Sequence, residues 1–206
     1  MKKIAIFASG TGSNAKKIIE HGPHPASPDG GIGRLQYEVA LVATNKPGAA
    51  VLKIAEAHHI PTLVIDKEKF FRGNAYADEL KESGIDFIVL AGFLWKLPVK
   101  LIEAYPHKII NIHPALLPKY GGKGMYGRHV HEAVIAAGEK ESGITIHFVD
   151  ELYDHGKPIL QVKCAIDESD SPESLAKKVQ QLEHEYYPKV IDDIVSASKN
   201  KLHTNQ

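Results

Sequence analysis

Residues 85–91, Ile-Asp-Phe-Ile-Val-Leu-Ala, form an almost unbroken apolar run near the middle of the chain. A strand that is apolar on both of its alternating faces must be covered on both sides. Such strands are typical of parallel sheets with helices packed on either face. The run therefore predicts the central strand of an α/β sheet.

The segments around this run alternate between strand-like and helix-like patterns, which favours a parallel sheet with right-handed crossovers. Residues 21–34 contain three Pro and four Gly and are predicted to form a surface loop. The elements predicted before the central run are strands at residues 3–8, 37–43 and 61–65, and helices around Ile18 and Ile19, at residues 49–58 and at residues 70–83.

The pattern changes after residue 113. A helix is predicted near residues 131–137, and two strands, at residues 144–149 and 158–166, indicate an antiparallel hairpin. Ser171, Pro172 and Glu173 are suited to begin a long C-terminal helix. The 206 residues show no internal repeat or linker. We therefore predict a single α/β domain with a Rossmann-like, mostly parallel sheet, flanking helices, a C-terminal β-hairpin and a long C-terminal helix.

Charge and cysteine content argue against several classes of protein. The 25 basic and 25 acidic residues cancel, and without a basic stripe we expect no nucleic-acid partner. Cys164 is the only cysteine, so it has no internal disulfide partner and is interpreted as a small core residue. No stretch approaches the roughly 20 apolar residues of a membrane span, and the N-terminus lacks a secretory signal. We therefore expect a cytoplasmic protein without a membrane partner.

A glycine-rich turn, Gly10-Thr11-Gly12-Ser13-Asn14, connects the first strand to the first helix. Glycines let backbone amides approach an anion, and a helix N-terminus presents unpaired N–H groups, so the turn is suited to binding phosphate. It matches neither the G-x-G-x-x-G fingerprint nor the P-loop, which disfavours a dinucleotide. Taken alone, the motif is equally consistent with a tight turn closed by a Ser or Asn cap.

Asn111 and His113 are the strongest candidates for chemistry. They lie at the end of a predicted strand, before Pro114 turns the chain. Alternate residues of a strand project to the same face, which places an amide beside an imidazole. A donor to a developing oxyanion next to a base that titrates near neutrality suits carbonyl chemistry. The alternative is an Asx-turn asparagine and a satisfied histidine, which the shared face and Pro114 disfavour.

The remaining polar features have simpler interpretations. Asp154 stands in a Tyr-Asp-His-Gly connection, where aspartate is an ordinary turn residue. Glu183 falls on the apolar side of the last helix and is interpreted as a boundary residue. The twelve histidines include the pair His129 and His131, but no His-Glu-x-x-His or Cys/His cluster occurs. We therefore predict solvated surface histidines and no metal site.

Several stretches spread over nearly the whole chain resemble the phosphoribosylglycinamide formyltransferase family, the folate-dependent enzymes of purine synthesis. Asn-Ile-His-Pro-x-Leu-Leu-Pro-Lys-Tyr is specific to the folate formyl-transfer superfamily, and Ser-Gly-x-Gly-Ser-Asn narrows it to the glycinamide branch. The similar stretches, in the family's order, are residues 4–14, 89–93, 111–120, 143–161 and 183–188.

The resemblance implies that the amine of glycinamide ribonucleotide attacks the formyl carbon of the co-substrate 10-formyltetrahydrofolate, without a metal. It implies that Asn111 donates to the oxyanion and that His113 is the proton-transfer group. Asp154 would orient and polarise His113 and hold a water that relays the proton. The resemblance further implies phosphate contacts from Thr11, Gly12, Ser13 and Asn14, a glycinamide contact from Glu183, and a folate pocket formed by Leu90, Leu94, Trp95, Leu97 and Asn111.

The same resemblance suggests the organisation of the domain. Residues 1–100 would be the phosphate- and ribonucleotide-binding half, and residues 101–206 the catalytic and folate-binding half. The partners would be the two small-molecule substrates, and the protein would be a monomer or weak homodimer.

Three alternative functions use parts of the same set of residues. A formyltetrahydrofolate hydrolase passes the formyl group to water and usually carries an N-terminal regulatory domain. A methionyl-tRNA formyltransferase needs a C-terminal tRNA-binding domain and a basic surface. A non-catalytic nucleotide-binding module would use the glycine-rich turn alone.

Overall fold

A computed structural model describes residues 1–21 and 37–200 of the chain. Apart from His21, the loop predicted at residues 21–34 lies outside this part. The strands are β1 (Lys2–Phe7), β2 (Tyr37–Thr44), β3 (Thr62–Val64), β4 (Phe87–Leu90), β5 (Ile109–His113), β6 (Glu141–Phe148) and β7 (Pro158–Ala165). The helices are α1 (Ser13–His21), α2 (Ala50–Ala57), α3 (Lys67–Arg72), α4 (Ala77–Glu82), α5 (Val99–Ala104), α6 (Arg128–Ala136) and α7 (Pro172–Asn200).

The strands form one sheet in the order β3-β2-β1-β4-β5-β6-β7. Neighbours from β3 to β5 pair in parallel, whereas β6 pairs antiparallel with both β5 and β7. The predicted mostly parallel, Rossmann-like sheet with a C-terminal hairpin is therefore confirmed. The order reverses at β1, because β2 and β3 extend to one side and β4 to the other. Ligands of open α/β sheets bind outside the carboxyl ends of the strands at such a reversal.

The central strand β4 contributes to a core on each side of the sheet. Phe87 and Val89 pack into the core that contains residues of α1, α6 and α7. Ile88 and Leu90 pack into the opposite core, with residues of α3, α4 and α5. Full burial of a large apolar side chain contributes roughly 1.5–3 kcal/mol. The prediction from the apolar run, a strand covered on both faces, is confirmed.

The single helix predicted at residues 70–83 is wrong, because the segment forms two short helices, α3 and α4. Between them, Ala75 and Tyr76 have positive φ angles of 54° and 60°, which end the helical path. The Tyr76 hydroxyl accepts a hydrogen bond from the Asp66 backbone N–H at 2.9 Å and fixes this turn. Phe70 and Leu80 are both buried in the same core. The spacing of the apolar residues is therefore compatible with two short helices as well as with one long helix, and it could not distinguish the two.

Helix α7 packs on one face of the sheet, against α1, α6, β6 and β7. The Ser171 Oγ accepts a hydrogen bond from the Ser174 N–H at 3.2 Å, as expected of an N-cap. Further along, the buried Tyr187 hydroxyl lies 2.9 Å from the Leu90 carbonyl oxygen and 3.3 Å from that of Ile110. Since these carbonyls belong to β4 and β5, Tyr187 links α7 to two neighbouring strands of the sheet.

No helix within the described residues is long and apolar enough to cross a membrane. Cys164 is half-buried and packs against the core that contains α7, in agreement with its interpretation as a small core residue.

Candidate active site

A cavity of about 1020 Å³ opens at the carboxyl ends of β1, β4 and β5. It is large enough for a cofactor-sized ligand. Its wall includes every residue that the sequence suggested for the site, namely Thr11, Gly12, Ser13, Asn14, Leu90, Leu94, Trp95, Leu97, Asn111, His113, Asp154 and Glu183.

The glycine-rich turn forms one end of the cavity and leads into α1. Gly12 has a φ of 75°, and a Cβ atom there would lie 2.8 Å from Val51. No other residue type fits, because both the backbone angle and the close approach of α2 exclude a side chain. Ser13 and Asn14 begin α1, so their backbone N–H groups lie at a helix N-terminus, where anions bind favourably.

Helix α7 meets the glycine-rich turn through two polar contacts. The Asn14 amide donates to Glu183 Oε2 at 2.9 Å, and the Gln180 amide donates to Ser13 Oγ at 3.3 Å. Burial raises the pKa of the Glu183 carboxyl, and the hydrogen bond from Asn14 partly offsets this effect. Glu183 therefore faces the cavity, and its interpretation as a solvent-reaching boundary residue is wrong. A helical pattern could not show that this turn of α7 lies opposite α1.

Ser9, just before the glycine-rich turn, has an internal role. Its buried hydroxyl donates to Asn45 Oδ1 at 2.6 Å and accepts from the Leu94 backbone N–H at 2.9 Å. Ser9 therefore connects the loops that follow β1, β2 and β4.

Asn111 and His113 occupy the end of β5 and both line the cavity. Their position on one face follows from the two-residue repeat of the strand, as predicted. Asn111 lies opposite His147 of β6, and the Asn111 Nδ2 is 3.2 Å from the His147 Nε2. The His147 Nδ1 is 2.8 Å from the Phe148 carbonyl oxygen. When Nδ1 donates to that carbonyl, Nε2 accepts from Asn111, which orients the amide.

His113 is held from two sides. Its Nε2 is 2.7 Å from the Tyr120 carbonyl oxygen, so Nε2 carries the proton of the neutral ring and donates it. Its Nδ1 then has a free lone pair, 3.6 Å from Asp154 Oδ2. Burial lowers the pKa of the imidazole, although the Asp154 carboxylate and the Tyr120 carbonyl oppose this shift. His113 is therefore a neutral base at pH 7, with a carboxylate placed to stabilise its protonated form.

Asp154 lies between two histidines. Its Oδ1 is 3.6 Å from the His147 Nε2, and its Oδ2 accepts from the Gly122 backbone N–H at 2.8 Å. Burial raises the pKa of the carboxyl, but the neighbouring His147 and His113 and the Gly122 N–H more than compensate, so its pKa is lowered. The residue also has a left-handed backbone with a φ of 56°. Asp tolerates this conformation better than most residues. The side chain of an ordinary turn residue contacts only its own turn. The Asp154 carboxylate also pairs with His113 of β5, so Asp154 does more than form the turn.

Sequence reasoning missed His147 and, apart from His113 in the candidate site, interpreted the histidines as solvated surface residues. Within the described residues, His113, His131 and His147 are buried, with exposures of 4%, 6% and 2%. The surface prediction is therefore wrong for His131 and His147. The alternation along β6 gave no signal for this, because it places His147 with Thr145 on the polar face of the strand, yet both are buried in the structure.

The other end of the cavity is apolar and is formed by the loops after β4 and β6. Leu90 and Leu97 are buried, whereas Leu94 is 41% exposed at the rim. The ring of Trp95 lies 5.3 Å from that of Phe71 and is half-buried in an aromatic cluster. This end is suited to a flat, largely apolar ring system.

No cluster of three or more His, Cys, Asp or Glu side chains that could hold a metal ion occurs among residues 1–21 and 37–200. The arrangement places a donor amide, a neutral imidazole and a carboxylate between a polar end and an apolar end. Such a set can bind an anionic polar molecule and an aromatic one with their reacting groups at the centre, where an acyl carbonyl can be activated.

Comparison with known proteins identifies the family. A family model described as formyl transferase matches residues 2–191. The chain is 36% identical over 204 residues to the phosphoribosylglycinamide formyltransferase of Bacillus subtilis, covering 95% of each protein. It is 42% identical over 198 residues to the chloroplastic enzyme of that name from Arabidopsis thaliana, covering 94% of this chain.

The structure leads to the same group. The crystal structure of phosphoribosylglycinamide formyltransferase from Bacillus halodurans superposes with a TM-score of 0.82 at 40% identity, covering 97% of this chain and 98% of that one. The chain spans only 65% of the Arabidopsis protein and 60% of the cowpea (Vigna unguiculata) relative. The chain belongs to the formyl transferase family, and within it to the phosphoribosylglycinamide formyltransferases.

Proposed function

We propose that the protein transfers the formyl group of 10-formyltetrahydrofolate to the amine of glycinamide ribonucleotide, giving formylglycinamide ribonucleotide and tetrahydrofolate. The observation that carries the proposal is the set of Asn111, His113 and Asp154 at the centre of the cavity. These groups match what formyl transfer needs, and the chain belongs to a family of formyl transferases.

The reaction requires charge stabilisation on the formyl oxygen. The amine nitrogen attacks the formyl carbon, and the carbonyl electrons move to the oxygen, which becomes an oxyanion. The Asn111 amide, oriented by His147, donates a hydrogen bond to this oxygen. Because the donor is fixed before the reaction, little reorganisation is needed when the charge develops.

The reaction also requires one proton to move. The amine must lose a proton after its attack, and the folate nitrogen must gain one as the carbon–nitrogen bond breaks and the oxyanion collapses. His113 takes the proton at Nδ1, where Asp154 stabilises the imidazolium, and returns it to the leaving nitrogen directly or through a water held by Asp154.

The two ends of the cavity are suited to the two substrates. Thr11, Gly12, Ser13 and Asn14 surround the N-terminus of α1 and would hold the ribonucleotide phosphate. Glu183 would contact the glycinamide part. The wall formed by Leu90, Leu94, Trp95, Leu97 and Asn111 would hold the pteridine ring of the folate.

The division into two functional halves remains a prediction. In this proposal both halves contribute to both substrates, because Glu183 faces the phosphate turn and Leu90 lies before residue 101. We also propose that the protein works as a monomer or weak homodimer, since all residues invoked for catalysis come from one chain.

The experiment measures tetrahydrofolate release with and without glycinamide ribonucleotide. We expect release only when both substrates are present, and its loss in Asn111→Leu and His113→Leu. Equal release without the ribonucleotide would identify a hydrolase. Ribonucleotide binding with no release would identify a non-catalytic nucleotide-binding module.

A further inference from the structure

We propose that His131 is a positioning residue for the ribonucleotide and hydrogen-bonds to one of its uncharged polar groups, a sugar hydroxyl or the glycinamide. This inference rests on the proposed function, because it assigns a further contact to the same substrate. His131 is not among the residues that the sequence suggested for the site.

His131 is a buried polar residue with one ring nitrogen unpartnered among the described residues. It lies near the start of α6, is 6% exposed and lines the cavity. Its Nδ1 has no hydrogen-bond partner within the described part of the chain. Buried polar atoms in folded proteins are nearly always hydrogen-bonded. An imidazole that lines a binding cavity and has one unpartnered ring nitrogen is therefore a candidate for a hydrogen bond to a bound ligand.

The position of α6 points to the ribonucleotide as that ligand. Helix α6 packs against α7, and the Arg128 guanidinium is 2.7 Å from the Glu173 carboxylate across that contact. Helix α7 in turn carries Glu183, which accepts from Asn14 in the phosphate turn. His131 therefore lies on the side of the cavity formed by α6 and α7, close to His113, whereas the apolar wall lies on the loops after β4 and β6.

The chemistry of the ring favours an uncharged group over the phosphate. Burial and the nearby His113 lower the pKa of His131, so the imidazole is neutral at pH 7. A neutral imidazole offers one donor and one acceptor, which matches a hydroxyl or an amide. The phosphate already has the N-terminus of α1. Moreover, Arg128 is paired with Glu132 and Glu173, so it does not make this part of the wall strongly cationic.

The test compares three substitutions of His131 with one of its neighbour on the same helix. His131→Leu removes both ring nitrogens, whereas His131→Asn and His131→Gln keep an amide near the positions of Nδ1 and Nε2. His129→Leu is the control, because the His129 side chain is 65% exposed and does not line the cavity. Steady-state kinetics give KM for each substrate, calorimetry gives Kd for the ribonucleotide, and melting temperatures report the fold.

We expect His131→Leu to raise KM and Kd for the ribonucleotide about tenfold, the effect of one lost hydrogen bond. The KM for the folate should stay within twofold, and Asn or Gln should recover at least half of the loss. Unchanged ribonucleotide affinity in His131→Leu would overturn the inference. An equal loss in all three variants would also overturn it, because shape alone would then matter. If the wild-type protein binds the ribonucleotide but transfers no formyl group, the proposed function fails separately.

Discussion

Replacement of Asp154 by Asn removes a negative charge from beside His113 and nearly preserves the side-chain shape. Asp154 Oδ2 and His113 Nδ1 are 3.6 Å apart, and the side chains are 11% and 5% exposed. Opposite unit charges at this distance attract by about 4.6 kcal/mol at an effective dielectric constant of ~20. Since His113 becomes charged only during the reaction, most of this attraction stabilises the transition state. We expect kcat to fall by roughly two to three orders of magnitude.

The fold should tolerate this change, because Asn also accepts the left-handed backbone of Asp154. The assay is the initial rate of tetrahydrofolate release with both substrates saturating. Glu151→Gln is the matched control, since Glu151 is an exposed carboxylate in the same connection and does not line the cavity. Its kcat should match that of the wild type.

The same substitution should change the titration of His113. The Asp154 carboxylate raises the pKa of His113 against the larger effect of burial, so its removal should lower that pKa further. An NMR titration of the imidazole measures this shift. A kcat for Asp154→Asn within tenfold of the wild type, in a folded protein, would refute the electrostatic role of Asp154.

Three further predictions test other parts of the account. Asn111→Leu should lower kcat by roughly 10²–10³ with little change in the KM for the ribonucleotide, because a fixed oxyanion donor is lost; an unchanged kcat would contradict this role. Tyr187→Phe removes the donor to the Leu90 carbonyl, so the free energy of unfolding in urea should fall by about 1–2 kcal/mol while kcat stays unchanged. Burial lowers the pKa of His113 and His131 in the folded state, so at acidic pH the unfolded chain, with histidine pKa values near 6.5, binds more protons. The free energy of unfolding should therefore decrease between about pH 7 and pH 5, and a constant value in urea titrations across this range would be contrary to the prediction.

Sequence rules predicted those features that depend only on residues close together in the chain. The two-residue repeat of a strand was enough to place Asn111 and His113 on one face. The apolar run at residues 85–91 was enough to predict a central strand whose two faces are both covered by other elements. The break between α3 and α4 was not predictable in this way, because it depends on the left-handed backbone of Ala75 and Tyr76.

Residues whose environment comes from distant parts of the chain were harder to assign. Asp154 looks like a turn residue, and Glu183 like a helix boundary residue, until folding brings them against His113 and Asn14. His147 was missed for the same reason, because its partner Asn111 lies 36 positions away on another strand. Only the family resemblance suggested Asp154 and Glu183, and nothing in the local pattern suggested His147.

The most direct test of the account follows the formyl carbon itself. The protein is mixed with glycinamide ribonucleotide and 10-formyltetrahydrofolate labelled with ¹³C in the formyl group, and the label is followed by NMR. We predict that it moves to the amide of formylglycinamide ribonucleotide at the rate of tetrahydrofolate release, and that Asn111→Leu and Asp154→Asn slow both together. Label that appears as formate, or that stays on the folate, would contradict the account.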